Sequence, residues 1–429
     1  MTTLKTTRLS VGTVFLVVFI LVSSGPYGVE EMVASSGPGV ALLLLVLIPV
    51  VWGAPMGLVC AELASALPHE GGSYVWIERG LGRFWAFQSG WWLTLSGTFD
   101  TALYVVLAVT YANGWLDLSP LGQWGLSACV IAVFAALNVR GVRALALSSA
   151  VFAVIILLPC AVLTVLGFAQ WRQNPLLPLT PPGMPLLGSL GIGLTVAIWF
   201  YSGYESMSTM AGEVAEPQRV IPRALLLSLP AVVAVYLLPT AAALASVGRW
   251  EEWGPDGPVS LVDVARELGG GALATAMMAG ALVSSLALYN AYLAAGARTT
   301  LVMAQRGRLP RVFARIHSRF GTPHASILIA AALHALLATV SFEALLVIDV
   351  FLFVISYFLI FGACIALRVR EPDLPRPFRI PLGTAGLAAL LLVPTAVGLV
   401  ALVANGGQAL AWGTLAAATG PAAWLVARR

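Results

Sequence analysis

The sequence predicts an all-α integral membrane protein of about twelve spanning helices in a single domain, with the first and sixth helices broken. Composition is one reason: 59% of residues are hydrophobic and 10% charged, against roughly one-quarter charged in soluble domains. A second is the series of apolar runs, each near the roughly 20 residues that cross a bilayer. They cover 10–37, 40–66, 84–112, 121–138, 145–169, 186–214, 220–247, 271–303, 323–340, 344–367, 383–403 and 407–426. The third is a matched pair of interruptions, Ser23–Gly28 and Ser202–Tyr204, each followed by acid.

In the first segment an apolar stretch meets Ser23-Ser24-Gly25-Pro26-Tyr27-Gly28 and resumes as Val29-Glu30-Glu31-Met32-Val33. Lys5 and Arg8 ahead of that stretch imitate a secretory signal, but another apolar run follows instead of a soluble domain. Carboxylates and irregular backbone at bilayer depth are tolerated where they face a bundle interior or a wet cavity. Adjacent helix positions point about 100° apart, so Glu30 and Glu31 diverge. Val29, Met32 and Val33 gather on one side, which favours Glu31 as the cavity-facing acid and leaves Glu30 as the alternative. Capping of the half-helix is the structural reading for either.

The third segment carries Trp92, Ser96, Asp100 and Tyr104 at i+4 spacing, a polar and aromatic stripe on one helix face with an acid at mid-depth. A structural acid joining two helices is the competing reading for Asp100. Segment six runs Trp199-Phe200-Tyr201, then Ser202-Gly203-Tyr204-Glu205. Segment eight offers Ser284, Ser285, Tyr289 and Asn290, and segment ten Asp349 with Phe353 and Tyr357; these are secondary candidates, small hydroxyls serving more often as helix glue. Trp250–Gly269, rich in acids, reads as an outer loop able to lie over a vestibule.

Breaks in the first and sixth of twelve segments are the pattern of a transporter built as a 5+5 inverted repeat of the LeuT type, with its site at the midplane. The repeats take residues 1–169 and 186–367, and two extra helices follow over 383–427. Half-helices starting at each break present free N–H groups and a positive dipole end to the cavity. The expected substrate site is Ser24, Gly25, Pro26, Gly28, Glu30, Glu31, Asp100, Tyr104, Trp199, Ser202, Gly203, Tyr204 and Glu205, with Glu205 and Asp100 as proton-coupling candidates.

Basic residues set the orientation. Arg172, Arg249 and Arg266 alone fall in outer connections, and all other Lys and Arg fall in inner ones, which places both termini in the cytoplasm. The membrane expected is the plasma membrane, or the inner membrane of a bacterium. The net charge of +4 reports this topology and calls for no nucleic acid. Four scattered cysteines and four scattered histidines offer no metal cluster, redox pair or nucleophile–base set, and Lys5 is the only lysine. An enzyme and a cofactor are therefore not expected, and a channel lacks a filter repeat.

Glu62 lies in Ala61-Glu62-Leu63, followed by Pro68 and Gly71-Gly72-Ser73-Tyr74-Val75-Trp76. This string resembles the second segment of the amino acid/polyamine/organocation permeases. The chain is similar to their polyamine-uptake branch at Ser24 to Glu31, at Gly90-Trp91-Trp92 with Ser96-Gly97 and Asp100-Thr101-Ala102-Leu103-Tyr104, and at Ala211-Gly212-Glu213-Val214. The likeness continues at Gly307-Arg308-Leu309-Pro310, Gly321-Thr322-Pro323 and Glu371 to Arg379. Segment six departs from that branch: Phe200 to Glu205 is similar to ordinary amino acid permeases, in which the Glu after the break is linked to proton coupling or gating. The resemblance implies a secondary carrier for a small molecule, embedded in the lipid bilayer. Protons are the favoured coupling ion, because a buried acid such as Glu205 or Asp100 can be neutral in one access state and ionised in another, and Ser284 and Ser285 keep sodium as the alternative. A polyamine needs separated carboxylates with aromatic faces between them, whereas an α-amino acid needs uncovered helix N-termini for its carboxylate. Uptake of a cationic amine or polyamine is the favoured expectation, and an amino acid permease or exchanger the alternative.

Overall fold

The computed structural model describes residues 25–67, 72–141, 149–203, 217–254, 259–305 and 309–427. Among the described residues there is no strand. In chain order the helices are α1 (Val29–Ser36), α2 (Pro38–Ala66), α3 (Ser73–Leu81), α4 (Arg83–Leu116), α5 (Pro120–Val139), α6 (Ser149–Ala169) and α7 (Leu186–Phe200). They continue as α8 (Pro217–Ser246), α9 (Leu261–Gln305), α10 (His324–Leu337), α11 (Phe342–Arg370), α12 (Thr384–Ala404) and α13 (Gly406–Ala427). Seven of them contain stretches long and apolar enough to cross a membrane: α2, α4, α5, α8, α9, α11 and α12. Shorter apolar helices lie in α6, α7 and α10.

Local chemistry sets the ends. Gly37, at φ 81, separates α1 from α2, which starts on Pro38, a residue whose missing N–H costs nothing in a first turn. Ser119 caps α5 by accepting from Gly122 N at 3.3 Å, and Ser341 caps α11 by accepting from Ala344 N at 3.3 Å. Helix α9 begins ten residues before the apolar run at 271, inside the stretch read as an outer loop. The cause is a capping box: Ser260 N and Oγ both donate to the Asp263 carboxylate, at 3.0 and 2.7 Å. A kink at Gly270, φ 71, joins this first piece to the long helix.

Both interruptions are present as far as they are described. Residues 25–28 are non-helical, with Gly25 at φ 94 and Gly28 at φ 91, angles that side chains bearing a Cβ rarely adopt. Helix α7 ends at Phe200, and Gly203 sits at φ 99. α1 and α7 pack antiparallel. At one end Ser36 Oγ donates to Ser189 O at 2.5 Å, in space left by Gly193, where a Cβ would overlap the Ser36 hydroxyl. At the other end the start of α1 lies against the end of α7, since a Cβ built on Gly28 would sit 3.8 Å from the Trp199 ring and 3.4 Å from Phe342. α2 carries a π-helical turn, Pro49–Gly53, and its Gly53 faces Tyr201, whose hydroxyl donates to Leu45 O at 2.8 Å. Around this pair, α4 packs along α11 and α9, and α9 along α6.

Candidate functional site

Trp199, the second-last residue of α7, reaches across to α4, where its indole Nε1 donates to Asp100 Oδ1 at 2.8 Å. Asp100 is half-buried at the middle of α4. One turn along α4, Tyr104 lies 5.9 Å from the Trp199 ring and stacks nearly parallel on Tyr292 of α9 at 5.6 Å, with an interplanar angle of 8°. Trp199 also meets Phe342, at the start of α11, edge-on at 5.8 Å. The C-terminal end of α7, negative by its helix dipole, therefore lies against the Asp100 carboxylate and the aromatic side chains of Tyr104, Tyr292 and Phe342. One turn the other way, Ser96 Oγ donates to Asp349 Oδ1 at 2.5 Å. That bond holds a second carboxylate, buried on α11, against Ser96, the residue one turn along α4 from Asp100.

The two adjacent acids of α1 have different surroundings. Glu30 is buried and accepts from Tyr111 Oη at 2.8 and 2.9 Å, from Gly28 N at 3.1 Å and from Leu261 N at 3.0 Å. It thus caps α1 and fastens it to α4 and to the first residue of α9. Trp253 is buried in this region, and a Cβ on Gly254 would lie 3.0 Å from Ala34, so the connection ahead of α9 rests directly on α1. Glu31 is buried as well.

The end of α7 is clamped by aromatic packing. Phe200 stacks on Tyr236 of α8 at 4.2 Å, and Tyr201 meets Tyr236 edge-on at 5.6 Å. Ser202 is half-buried; its hydroxyl donates to Ile198 O and accepts from Trp52 Nε1 in the π-turn at 3.4 Å. Gly203 is half-buried, and Pro26 and Gly25 are buried. Ser24, Tyr204 and Glu205 lie outside the described residues, as do Pro68, Gly71 and Ala211 to Val214. Of the secondary candidates, Ser284 and Ser285 are buried on α9, while Tyr289 packs edge-on to Phe134 and faces His334, Oη to Nδ1 3.4 Å. Trp92 donates to Ala417 O of α13 at 2.8 Å.

Sequence reasoning passed over Tyr111, Tyr292, Phe342 and the π-turn. Tyr111 was within reach, because it continues the Asp100–Tyr104 face at i+7. Phe342 and Tyr292 stand on helices far away in the chain, and nothing in local spacing brings them to Trp199. Near the far ends of α2 and α11 lies a second polar centre. Arg368 grips Glu62 by two bonds, Nε to Oε1 at 2.7 Å and Nη2 to Oε2 at 2.5 Å. Arg376 Nε approaches the same carboxylate at 3.5 Å, and Ile380 N donates to it at 2.8 Å. Arg79 of α3 pairs with Glu371 at 2.8 and 2.6 Å, an exposed bidentate bridge that holds the Glu371 carboxyl below the ordinary range.

A discontinuous helix pair around an acid and aromatic faces, inside a bundle of apolar helices, is carrier architecture. A family model described as amino acid permease matches residues 2–423. The chain belongs to the amino acid permease family. This permease is similar to polyamine transporter PUT1 of Oryza sativa subsp. japonica, with 36% identity over 390 residues, 90% of this chain and 71% of that protein. It is 30% identical to polyamine transporter RMV1 of Arabidopsis thaliana, over 89% of this chain and 77% of the relative. An uncharacterized transporter of Mycobacterium tuberculosis matches at 28% over 89% of the permease and 84% of its own length. The permease is a multi-pass membrane transporter and not an enzyme.

Proposed function

We propose that this permease is a secondary carrier that takes up a cationic amine, of which polyamines are the best-fitting class, by proton-coupled alternating access. The observation that carries the reading is the Asp100–Trp199 bond at the C-terminal end of α7, with Asp349 bonded to Ser96 one turn along α4 and Tyr104, Tyr292 and Trp199 packed around it. An ammonium gains from a carboxylate, from aromatic faces and from the negative end of a helix, and a diamine gains from two carboxylates about a turn apart. Three donors engage Glu30, which makes it the cap of α1; Glu31, on the side away from Val29, Met32 and Val33, is the acid of that pair proposed to face substrate. Ser24, Tyr204 and Glu205 complete the proposed site, and Asp100 and Glu205 are its coupling acids. The names of the plant relatives point to the same substrate class.

In this mechanism the two breaks belong to a 5+5 inverted repeat. The helices α1, α2, α7 and α8 rock against α4, α5, α9 and α10, with the termini in the cytoplasm and the carrier in the plasma membrane. The run Phe200-Tyr201-Ser202-Gly203 supports a second reading, an amino acid permease or exchanger. Reconstituted uptake of putrescine, spermidine, arginine and leucine, with and without a pH gradient, separates them. Polyamine uptake driven by inward-directed protons is expected; entry of leucine without entry of, or competition by, spermidine overturns it. Asp100→Asn is expected to keep exchange while losing gradient-driven accumulation, and equal loss of both removes Asp100 from coupling.

A further inference from the structure

On the face opposite the Glu30 contact, residues 309–323 of the connection between α9 and α10 form a cationic ledge held to its neighbours. Arg311–Ala314 forms one 3-10 turn, and Phe313 O accepts from Ser326 Oγ of α10 at 3.0 Å. His317 N donates to Thr322 O at 2.8 Å, and Thr322 Oγ1 donates to Val139 O at the end of α5 at 2.6 Å. On this ledge Arg311, Arg315 and Arg319 are exposed at every fourth position, and each is followed by an exposed apolar side chain: Val312, Ile316 and Phe320. Arg319 lies over the Phe320 ring at 5.4 Å. Arg140, also exposed, adjoins it, because Gly141 faces Thr322 and Phe320.

The sequence supplies no counter-charge to this region. Residues 118–204 and 268–342 contain no Asp or Glu, yet they hold Arg140, Arg143, Arg298, Arg306, Arg308, Arg311, Arg315 and Arg319 on this side, and Arg172 in an outer connection. Among the described residues Arg140, Arg311, Arg315 and Arg319 make no ion pair. The ledge hangs between the ends of α5, α9 and α10, where apolar helix surface gives way to polar chain. Exposed apolar side chains alternating with guanidinium groups at that level match the boundary between acyl chains and headgroups.

We propose that this ledge is a binding site for the headgroups of anionic phospholipids, with Arg311, Arg315, Arg319 and Arg140 on the phosphates and Val312, Ile316 and Phe320 in the adjoining acyl region. A soluble acidic protein or nucleic acid would use the charge and leave the apolar residues in water, whereas a lipid surface uses both. A free phosphate has no use for the apolar residues either.

The test uses the full-length permease in nanodiscs of phosphatidylcholine with or without phosphatidylglycerol, with retained lipid read by native mass spectrometry. The wild type is expected to retain phosphatidylglycerol in preference, and less so as ionic strength rises. The Arg311→Gln/Arg315→Gln/Arg319→Gln variant should lose that preference at about fivefold per arginine. Val312→Ser/Phe320→Ser, with all charges kept, should also weaken it. Arg172→Gln, an exposed arginine in a different connection, should leave it unchanged. Retention unaffected by the triple substitution, an Arg172 effect of equal size, or displacement of the lipid by inorganic phosphate at matched ionic strength would each overturn the proposal. Transport assays are not its readout, so it stands or falls separately from the substrate.

Discussion

Glu30 shows how a carboxylate survives inside an apolar bundle. Its two oxygens receive one hydroxyl and two backbone N–H groups, from α4, from the break before α1 and from the first residue of α9. The N–H groups are orphan donors at helix starts, which have no partner within their own helices. A single carboxyl group thus settles two helix ends and one phenol at once, and Tyr111 is fixed further by edge-on contact with Tyr27 at 5.5 Å. Tyr111→Phe removes the hydroxyl donor while keeping the ring. It is expected to cost about 1–3 kcal/mol, because a buried anion loses a donor that nothing replaces. Thermal unfolding of the purified variant in detergent measures this, and an unchanged midpoint would show that Glu30 does not depend on Tyr111.

At the scale of elements, α2, α3, α11 and the 371–382 connector are joined by two ion pairs of opposite character. Glu62–Arg368 has both side chains at 1% exposure, and Arg368 also donates to Leu382 O and Ile380 O. Arg79–Glu371 lies open at 43% and 31%. Arg368→Gln should destabilise by up to about 3–5 kcal/mol, since it leaves the buried Glu62 charge with only Arg376 at 3.5 Å and Ile380 N as partners, whereas Arg79→Gln should cost under about 1 kcal/mol and less in salt. Because Arg79 holds Glu371 below its ordinary range, the contribution of this pair is full above the unfolded-state value and fades as pH falls through the lowered folded-state value. Stability curves for the wild type and Arg79→Gln should therefore converge in acid, and a constant gap would sink that account. The breaks and the Asp100 stripe were legible because spacing and helix position are local properties, while Glu62 stood out only through the family-like string Ala61-Glu62-Leu63. The Arg368 partner was not, lying 306 residues away, and neither was the α9 start, where Ser260 and Asp263 form a capping box inside a stretch read by its acidity alone. Glu205 lies outside the described residues, so its role rests on the sequence.

Over the whole molecule, two of the buried acids, Glu30 and Glu62, hold connections near opposite ends of the bundle. Glu30 draws the start of α9 and the connection before it onto α1, and Glu62 draws the 371–382 connector onto α2. If α1 and α2 rock as one unit around the breaks, loosening one contact should favour opening on its own side and closing on the other. Ser202 suits a reporter position, being half-buried beside both the π-turn and the end of α7. In a Cys129→Ser background, which removes the one exposed native thiol among the described residues, Ser202→Cys is labelled with a membrane-impermeant thiol reagent applied to either face of oriented vesicles. Glu30→Gln should raise labelling several-fold from the Glu30 face and lower it from the arginine-rich face, and Glu62→Gln should do the reverse. Two variants that move both rates in the same direction would mean that each acid only holds its local fold, and the rocking of α1 and α2 as one body would have to be abandoned.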